Sequence, residues 1–432
     1  MVGMKSRLKA AAPLKAMAVT CVLTPLILSA PSAQAAGFQL REQSTTYLGN
    51  AFAGSAARAN DIATIYYNPA GMAFLDGNYA QAGVSFIAPK ATLSVATTDT
   101  AGGNGGDAVA DAALPVFYGK YDLGDWDLGI AINSPFGLKT EYDDGWVGRY
   151  HAMKTDLKII TASPSVSYRI NEKWAVAASA VIQYADIEMS NALNFGNVIP
   201  GSADGLSSLS GDDVGFGGVI GAIYQPIPTV RVGASWRTSV KHEFEGDADF
   251  QGVPAFLANN PSFRDGTIKA DFETPDIVTF SAYWQALDDW AFMLDYSWTR
   301  WSAFEEIRVR YDDGRPDSLN EEHWNDSFFV SFGADYTWSP DLTLHMGVAF
   351  DQSPVPEENL TARIPDSNRY WMSLGASYQL DENMSLSAAY THIEADSAKI
   401  QMDTKSAVVS GNVTGSYDSS VDIVALNFRW KF

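Results

Sequence analysis

Asp422-Ile423-Val424-Ala425-Leu426-Asn427-Phe428-Arg429-Trp430-Lys431-Phe432 closes the chain, and its alternation decides the fold. Successive side chains of a strand point to opposite faces. Val424, Leu426, Phe428, Trp430 and Phe432 therefore share one face, and Ala425, Asn427, Arg429 and Lys431 share the other. An amphipathic edge strand of a soluble sheet has the same dyad, but soluble proteins avoid long exposed apolar edges. The closing strand of a transmembrane β-barrel, with one face on lipid and one on a polar lumen, fits better.

The same reading extends backward along the chain. From about Asn78 the sequence divides into fourteen strand-like segments whose connections alternate in length. Short turns fall at Asp122–Asp125, Asn171–Lys173, Gln225–Pro228, Leu287–Asp289, Ser339–Asp341 and Asp381–Asn383. Long polar stretches lie between them, as at Pro135–Met153, Asn191–Gly211, Asp312–Asn325 and Lys399–Tyr417. Outer-membrane barrels have short periplasmic turns and longer extracellular loops. Apolar rows support the count: Trp174, Val176, Ala178, Ala180, Ile182 and Tyr184 form one, and Phe328, Val330, Phe332, Ala334, Tyr336 and Trp338 another.

Residues 1–35 read as a secretory leader. Lys5, Arg7, Lys9 and Lys15 precede an apolar run from Ala16 to Leu28 and a small-residue cleavage site at Ala33-Gln34-Ala35. That run is shorter than the roughly 20 residues a membrane-spanning helix needs. The single cysteine, Cys21, lies inside the leader, so the exported chain carries no disulfide, thiol nucleophile or Cys-based metal site. Losing four cations moves the formal charge from -22 to -26. So acidic a chain is unsuited to nucleic acid, whose affinity comes from Lys and Arg on phosphates. Five scattered histidines show no metal-ligand spacing, and no nucleophile elbow or phosphate loop is present. His345 faces inward on strand parity without an evident partner. Neither an enzyme, a cofactor nor a metal is expected.

Ala36 to Gly77 departs from strand patterning. Its run Gly49-Asn50-Ala51-Phe52-Ala53-Gly54-Ser55-Ala56-Ala57 is small and helix-tolerant, and Asn68-Pro69-Ala70-Gly71 signals a turn. Small residues pack closely against a wall, so a plug inside the lumen is favoured over a flexible tail. The expected organisation is a leader (1–35), a small, mainly helical hatch (36–77) and a fourteen-stranded antiparallel barrel (78–432).

Three early segments, Ala36-Gly37-Phe38-Gln39-Leu40, Leu48-Gly49-Asn50-Ala51-Phe52-Ala53-Gly54 and Tyr67-Asn68-Pro69-Ala70-Gly71-Met72, resemble the start of the long-chain fatty acid transport (FadL/TodX-type) outer-membrane family. Pro135-Phe136-Gly137-Leu138, Trp146-Val147-Gly148-Arg149-Tyr150, Asn171-Glu172-Lys173-Trp174 and Asp351-Gln352-Ser353-Pro354-Val355-Pro356 continue the resemblance over the mature chain. It implies capture of a hydrophobic molecule at extracellular loops, an internal pocket, movement of the hatch N-terminus and lateral release where the third strand kinks. Mapped by motif, the hatch residues are Phe38, Asn68, Pro69 and Ala70, and the kink is Pro135, Phe136 and Gly137. Independently of the family, Pro135 removes a ladder donor and Gly137 allows a bend, although Pro135 could simply begin a loop.

Parity carried along the seventh strand turns Val230, Val232, Ala234, Trp236, Val240 and Phe244 outward and Arg231, Arg237, Lys241 and Glu243 inward. Arg369 faces inward on the twelfth. Arg237, Lys241 and Arg369 are thus candidates to hold a carboxylate; the alternative is an interior lattice with Asp295, Asp335 and Glu243. The family resemblance implies basic groups near the outer end of the fifth strand, yet Tyr184 to Gly211 contains no Lys, Arg or His. The partner is therefore expected to be a long-chain fatty acid or another hydrophobic small molecule, with neutral aromatic or aliphatic hydrocarbons as the alternative and a non-specific porin as the plain one. The protein is expected to act as a monomer among outer-membrane lipids.

Overall fold

The computed structural model describes Gly37 to Phe432; the expected leader, residues 1–35, lies outside the described residues. Nineteen strands form one sheet. They are β1 (Tyr79–Thr98), β2 (Ala112–Asp122), β3 (Trp126–Glu141), β4 (Lys154–Arg169), β5 (Trp174–Leu193), β6 (Gly205–Ile227), β7 (Val230–Arg237), β8 (Val240–Gln251), β9 (Gly266–Thr274) and β10 (Ile277–Gln285). There follow β11 (Trp290–Thr299), β12 (Glu306–Tyr311), β13 (Ser318–Glu321), β14 (Ser327–Ser339), β15 (Leu342–Asp351), β16 (Arg369–Gln379), β17 (Met384–Ala395), β18 (Ala398–Met402) and β19 (Val413–Lys431). Five pairs (β7/β8, β9/β10, β11/β12, β13/β14 and β17/β18) are single staves interrupted once, which leaves fourteen staves. β19 pairs with β17 on one side and with β1 on the other, from Tyr79↔Lys431 to Thr98↔Val413, so the sheet closes on itself.

The C-terminal alternation appears as read. Val424, Leu426, Phe428, Trp430 and Phe432 are exposed on the outer wall, whereas Ala425 and Asn427 are buried inside. Three registered Trp–Tyr pairs stand at the short-turn end: Trp126 on Tyr168, Trp174 on Tyr224 and Trp290 on Tyr336. Their ring centroids are 4.5, 4.3 and 4.8 Å apart. Such aromatics mark a membrane–water boundary.

The interruptions at Thr238–Ser239, Pro275–Asp276, Arg300–Glu305 and Glu322–Asp326 are neighbours around the wall. On their short-turn side the outer face is apolar, with Val232, Trp236, Phe280 and Tyr296 exposed. On their long-loop side it carries Lys241, Glu243, Lys269, Asp271 and Arg310. The breaks therefore sit at the edge of the lipid band. They also correct the parity of the seventh stave: Val240 and Phe244 are buried inside, and Lys241 and Glu243 point outward. Arg237 pairs with Ile277 and Val240 with Thr274. Two residues intervene on each strand, so the inward set changes from odd to even numbers. A count of two from Arg237 misses that step.

Inside the barrel lies Gly37 to Gly77, made of single helical turns, α1 (Thr45–Leu48) and α2 (Thr64–Tyr67), and a 3-10 turn at Pro69–Phe74. The run Gly49–Ala57 folds as successive tight turns rather than helix. Ala51 and Phe52 take positive φ values of 48° and 62°, held by tertiary contacts that outweigh their local preference. Asn50 Nδ2 donates to the carbonyls of Ala334 (2.9 Å) and Met346 (3.2 Å) on the wall. Gly233 and Gly347 lie where hatch backbone presses on the barrel, and a side chain at either would collide with Ala56 or Asn50. Ion contacts complete the seat. Arg58 reaches Asp335 at 2.7 Å, and Asp295 accepts from Ser55 N and Oγ at 2.9 and 2.7 Å. These two wall acids thus bind the hatch, while Glu243 lies outside the lumen.

Candidate functional site

A narrow apolar cavity, with about 60 Å³ of room, lies beneath the long loops. Its walls are inward faces of consecutive staves: Leu138 of β3, Leu157 of β4, Ile187 of β5, Leu209 of β6, Phe244 of β8 and Ile268 of β9. Small-molecule sites are mostly apolar with a few placed polar groups. Two such groups here are Glu322 and Arg363. Arg363 Nη1 donates to the Lys154 carbonyl and to Thr155 Oγ1, each at 3.1 Å. Among the described residues no carboxylate lies within 4.0 Å of it. Burial pulls its guanidinium down to about 10, so it stays charged at neutral pH. Glu322 is pushed up to about 7, chiefly by burial, and accepts from Trp324 Nε1 at 3.2 Å.

Phe38 lines the same cavity. Its ring sits in an aromatic cage, with centroids 4.5 Å from Trp301, 5.4 Å from Phe272, 5.6 Å from Phe304 and Trp324, and 6.0 Å from Phe136. Gln39 and Arg41, just beyond it in the chain, line a second, more polar lumenal cavity with Arg237 and Asp295. The N-terminal end of the hatch thus sets Phe38 in the apolar cavity and Gln39 and Arg41 in the polar one.

That end is itself tied to the third stave. The β2–β3 ladder runs from Asp122↔Asp127 to Phe117↔Ile132 and stops there. β3 continues along β4 with one extra residue between Asn133 and Phe136, a bulge that turns Phe136 and Leu138 inward. The freed edge of β3 pairs instead with the hatch: Leu40 N donates to Pro135 O at 2.8 Å and Gly137 N to Phe38 O at 2.9 Å, flanking Gln39↔Phe136. A side chain on Gly137 would crowd Leu40. The wall has no β2–β3 ladder beyond Ile132, and a hatch strand covers the place from inside.

Asn68 holds the other end of the hatch. Its Nδ2 donates to Ala56 O (2.7 Å), Ala222 O (3.1 Å) and Ala234 O (3.3 Å), and its Oδ1 accepts from Ala70 N, while Pro69 begins the 3-10 turn. Arg237 is buried, donates to Tyr66 O at 3.0 Å and stacks 4.4 Å from the Tyr66 ring centroid. Arg369 is paired with Asp366, which also accepts from Gly37 N at 3.0 Å. Both are engaged in seating the hatch. Lys241 is a correction: its side chain is outside, 3.8 Å from Glu273, because of the parity step. His345 has partners that sequence order hides, Asp335 at 2.6 Å and Ser377 Oγ at 2.8 Å. Arg363, in a long loop, escapes any parity argument. Its one local signal is a lone cation between Ala362 and Ile364-Pro365.

A closed barrel with an apolar belt, an internal plug and an apolar cavity defines an outer-membrane transport protein. The family described as "Outer membrane protein transport protein (OMPP1/FadL/TodX)" matches residues 26–432, and the chain belongs to it. It is 30% identical to a 47 kDa outer membrane protein of Pasteurella multocida over 96% of this chain and 98% of that one. It is 28% identical to an Escherichia coli long-chain fatty acid transport protein, over 94% and 96%. The fold is also that of a Pseudomonas aeruginosa FadL homologue, with a TM-score of 0.87 at 22% identity, covering 92% of this chain and all of that one.

Proposed function

We propose that this protein takes up long-chain fatty acids, and that Arg363 holds the carboxylate while the acyl chain lies in the apolar cavity toward Phe38. The observation that carries this reading is a charged guanidinium lining an apolar cavity, bonded to neutral oxygens with no acid within ion-pair distance among the described residues. Such a group gains a charge-assisted bond from an incoming carboxylate. Retraction of Phe38 and release of the Gln39 strand from Phe136 then open a path to the β2–β3 gap. Release sideways suits the cargo: each Å² of apolar surface kept from water is worth about 25 cal/mol, which delivery into the periplasm would forfeit. The cycle needs no catalytic residue and no cofactor, and one chain, cut from its leader near Ala36, contains every part.

Replacing Arg363 with Ala should weaken oleate binding about 10- to 100-fold, the range for losing a hydrogen bond to a charged group. Binding of the matching alcohol should change little. Equal binding of oleate by both proteins, measured by calorimetry in detergent, would remove Arg363 from the site.

Affinity should also depend on pH. Glu322 is neutral below about 7 and ionised above it. Its charge then competes for Arg363 and repels the ligand, with Lys405 the other cation acting on it. Oleate should bind more weakly at pH 8.5 than at pH 6.5. Glu322→Gln should flatten that profile, and an unchanged profile would exclude Glu322 as its origin.

A further inference from the structure

One of the wall's interruptions, between the eighth and ninth staves, lies beside the pocket. The ladder between the eighth and ninth staves covers Ile268–Ala270 with Tyr311–Val309 and resumes only at Ile277↔Thr299. Between those limits Arg300 to Glu305 leaves the wall and folds inward, burying Trp301 and Phe304 against Phe38. A cleft at this place is lined by charged residues of the outer face and, at its inner end, by Phe272 and Phe304. The same two rings line the apolar cavity. Their centroids are 6.0 Å apart, edge to face. Ion pairs clamp the two rims: Arg310 to Asp271 at 2.5 Å, and Arg300 to Glu273 at 3.2 Å and Asp276 at 2.8 Å.

We propose that this cleft is a side entrance to the apolar cavity for uncharged apolar molecules, closed by the Phe272 and Phe304 rings. The proposal rests on the pocket reading above and extends it to a second substrate class. Selectivity follows from the rim. Six carboxylates (Asp213, Glu243, Asp271, Glu273, Glu305 and Glu306) line the cleft with Lys241 and His242, and the rim arginines Arg310 and Arg300 offset Asp271 and Glu273, so acids remain in excess. Within a Debye length of the rim, about 8 Å, that excess repels a fatty-acid head group but is indifferent to a hydrocarbon. The position suits such a solute: the outward ring of Trp236, whose Nε1 bonds Asp276 at 2.9 Å, puts the opening at the lipid boundary. Phe38 backs both rings, so the hatch movement that opens the floor also loosens this door.

The test is a Glu305→Cys variant in cells lacking other uptake routes, since the mature chain has no cysteine of its own. It is labelled with a bulky maleimide, with Glu394→Cys, exposed on the thirteenth stave, labelled as the control. Uptake of labelled hexadecane and of labelled oleate is followed. Labelling at residue 305 should remove most hexadecane uptake and leave oleate uptake unchanged, while the control label affects neither. Phe304→Ala, unlabelled, should accelerate hexadecane entry. Unaltered hexadecane uptake after complete labelling would overturn the entrance, as would equal loss of both solutes. Hexadecane uptake no greater than with empty vector would also overturn it, while leaving the oleate reading intact.

Discussion

Removing residues 37–77 is expected to convert a closed barrel into an open pore. The segment fills the lumen from the Phe38 cage at one level to Asn68 at another, and its contacts are to inward wall residues. The barrel itself closes through β1 and β19 without help from the hatch. The wall ions that lose hatch partners, Asp335, Asp295 and Arg237, would face water rather than an empty core, so they impose no buried-charge penalty. Conductance in planar bilayers should rise by at least about tenfold over the intact protein, as in a barrel whose interior becomes an aqueous channel. Heat-modifiable migration on a gel would establish that the deleted form is folded. A folded deletion form with unchanged conductance would mean that the segment never occluded the lumen.

The deletion separates two kinds of information that the sequence carries unequally. The wall is legible because lipid on one face and lumen on the other force a period of two, and each short turn resets the count. Hence the row from Trp174 to Tyr184 and the C-terminal alternation match the structure residue by residue, and in the row through Phe328 only Ala334 is buried. The count fails where a stave breaks without a long loop. Thr238-Ser239 looks like any strand dipeptide, yet it reverses everything from Val240 to Gln251 and moves Lys241 outside. The hatch is legible as a small-residue segment, but its turns at Ala51 and Phe52 are imposed by Asn50 bonding to two staves, which no local propensity encodes. Phe38 could be named only through the family motif, whereas Pro135 and Gly137 also carry a local signal, a missing ladder donor and a permitted bend. Arg363 reaches the pocket through a loop path, and periodicity says nothing about loops.

On the proposed cycle, cargo leaves only after the hatch strand Phe38–Leu40 detaches from the third stave. Gln39 and Phe136 face each other as a pair flanked by hydrogen bonds rather than joined by them, a geometry that brings Cα atoms to about 4.5 Å. That spacing lies inside the range of about 4.4–6.8 Å that a disulfide spans. The double variant Gln39→Cys/Phe136→Cys should therefore staple the strand in place when oxidised. The decisive measurement is uptake of labelled oleate by cells carrying this variant, before and after reduction, with bound oleate determined on the purified oxidised protein. The oxidised form should bind oleate and transport none, and reduction should restore transport. Full transport by a fully cross-linked protein would contradict the cycle, because cargo would then be passing without any movement of the hatch.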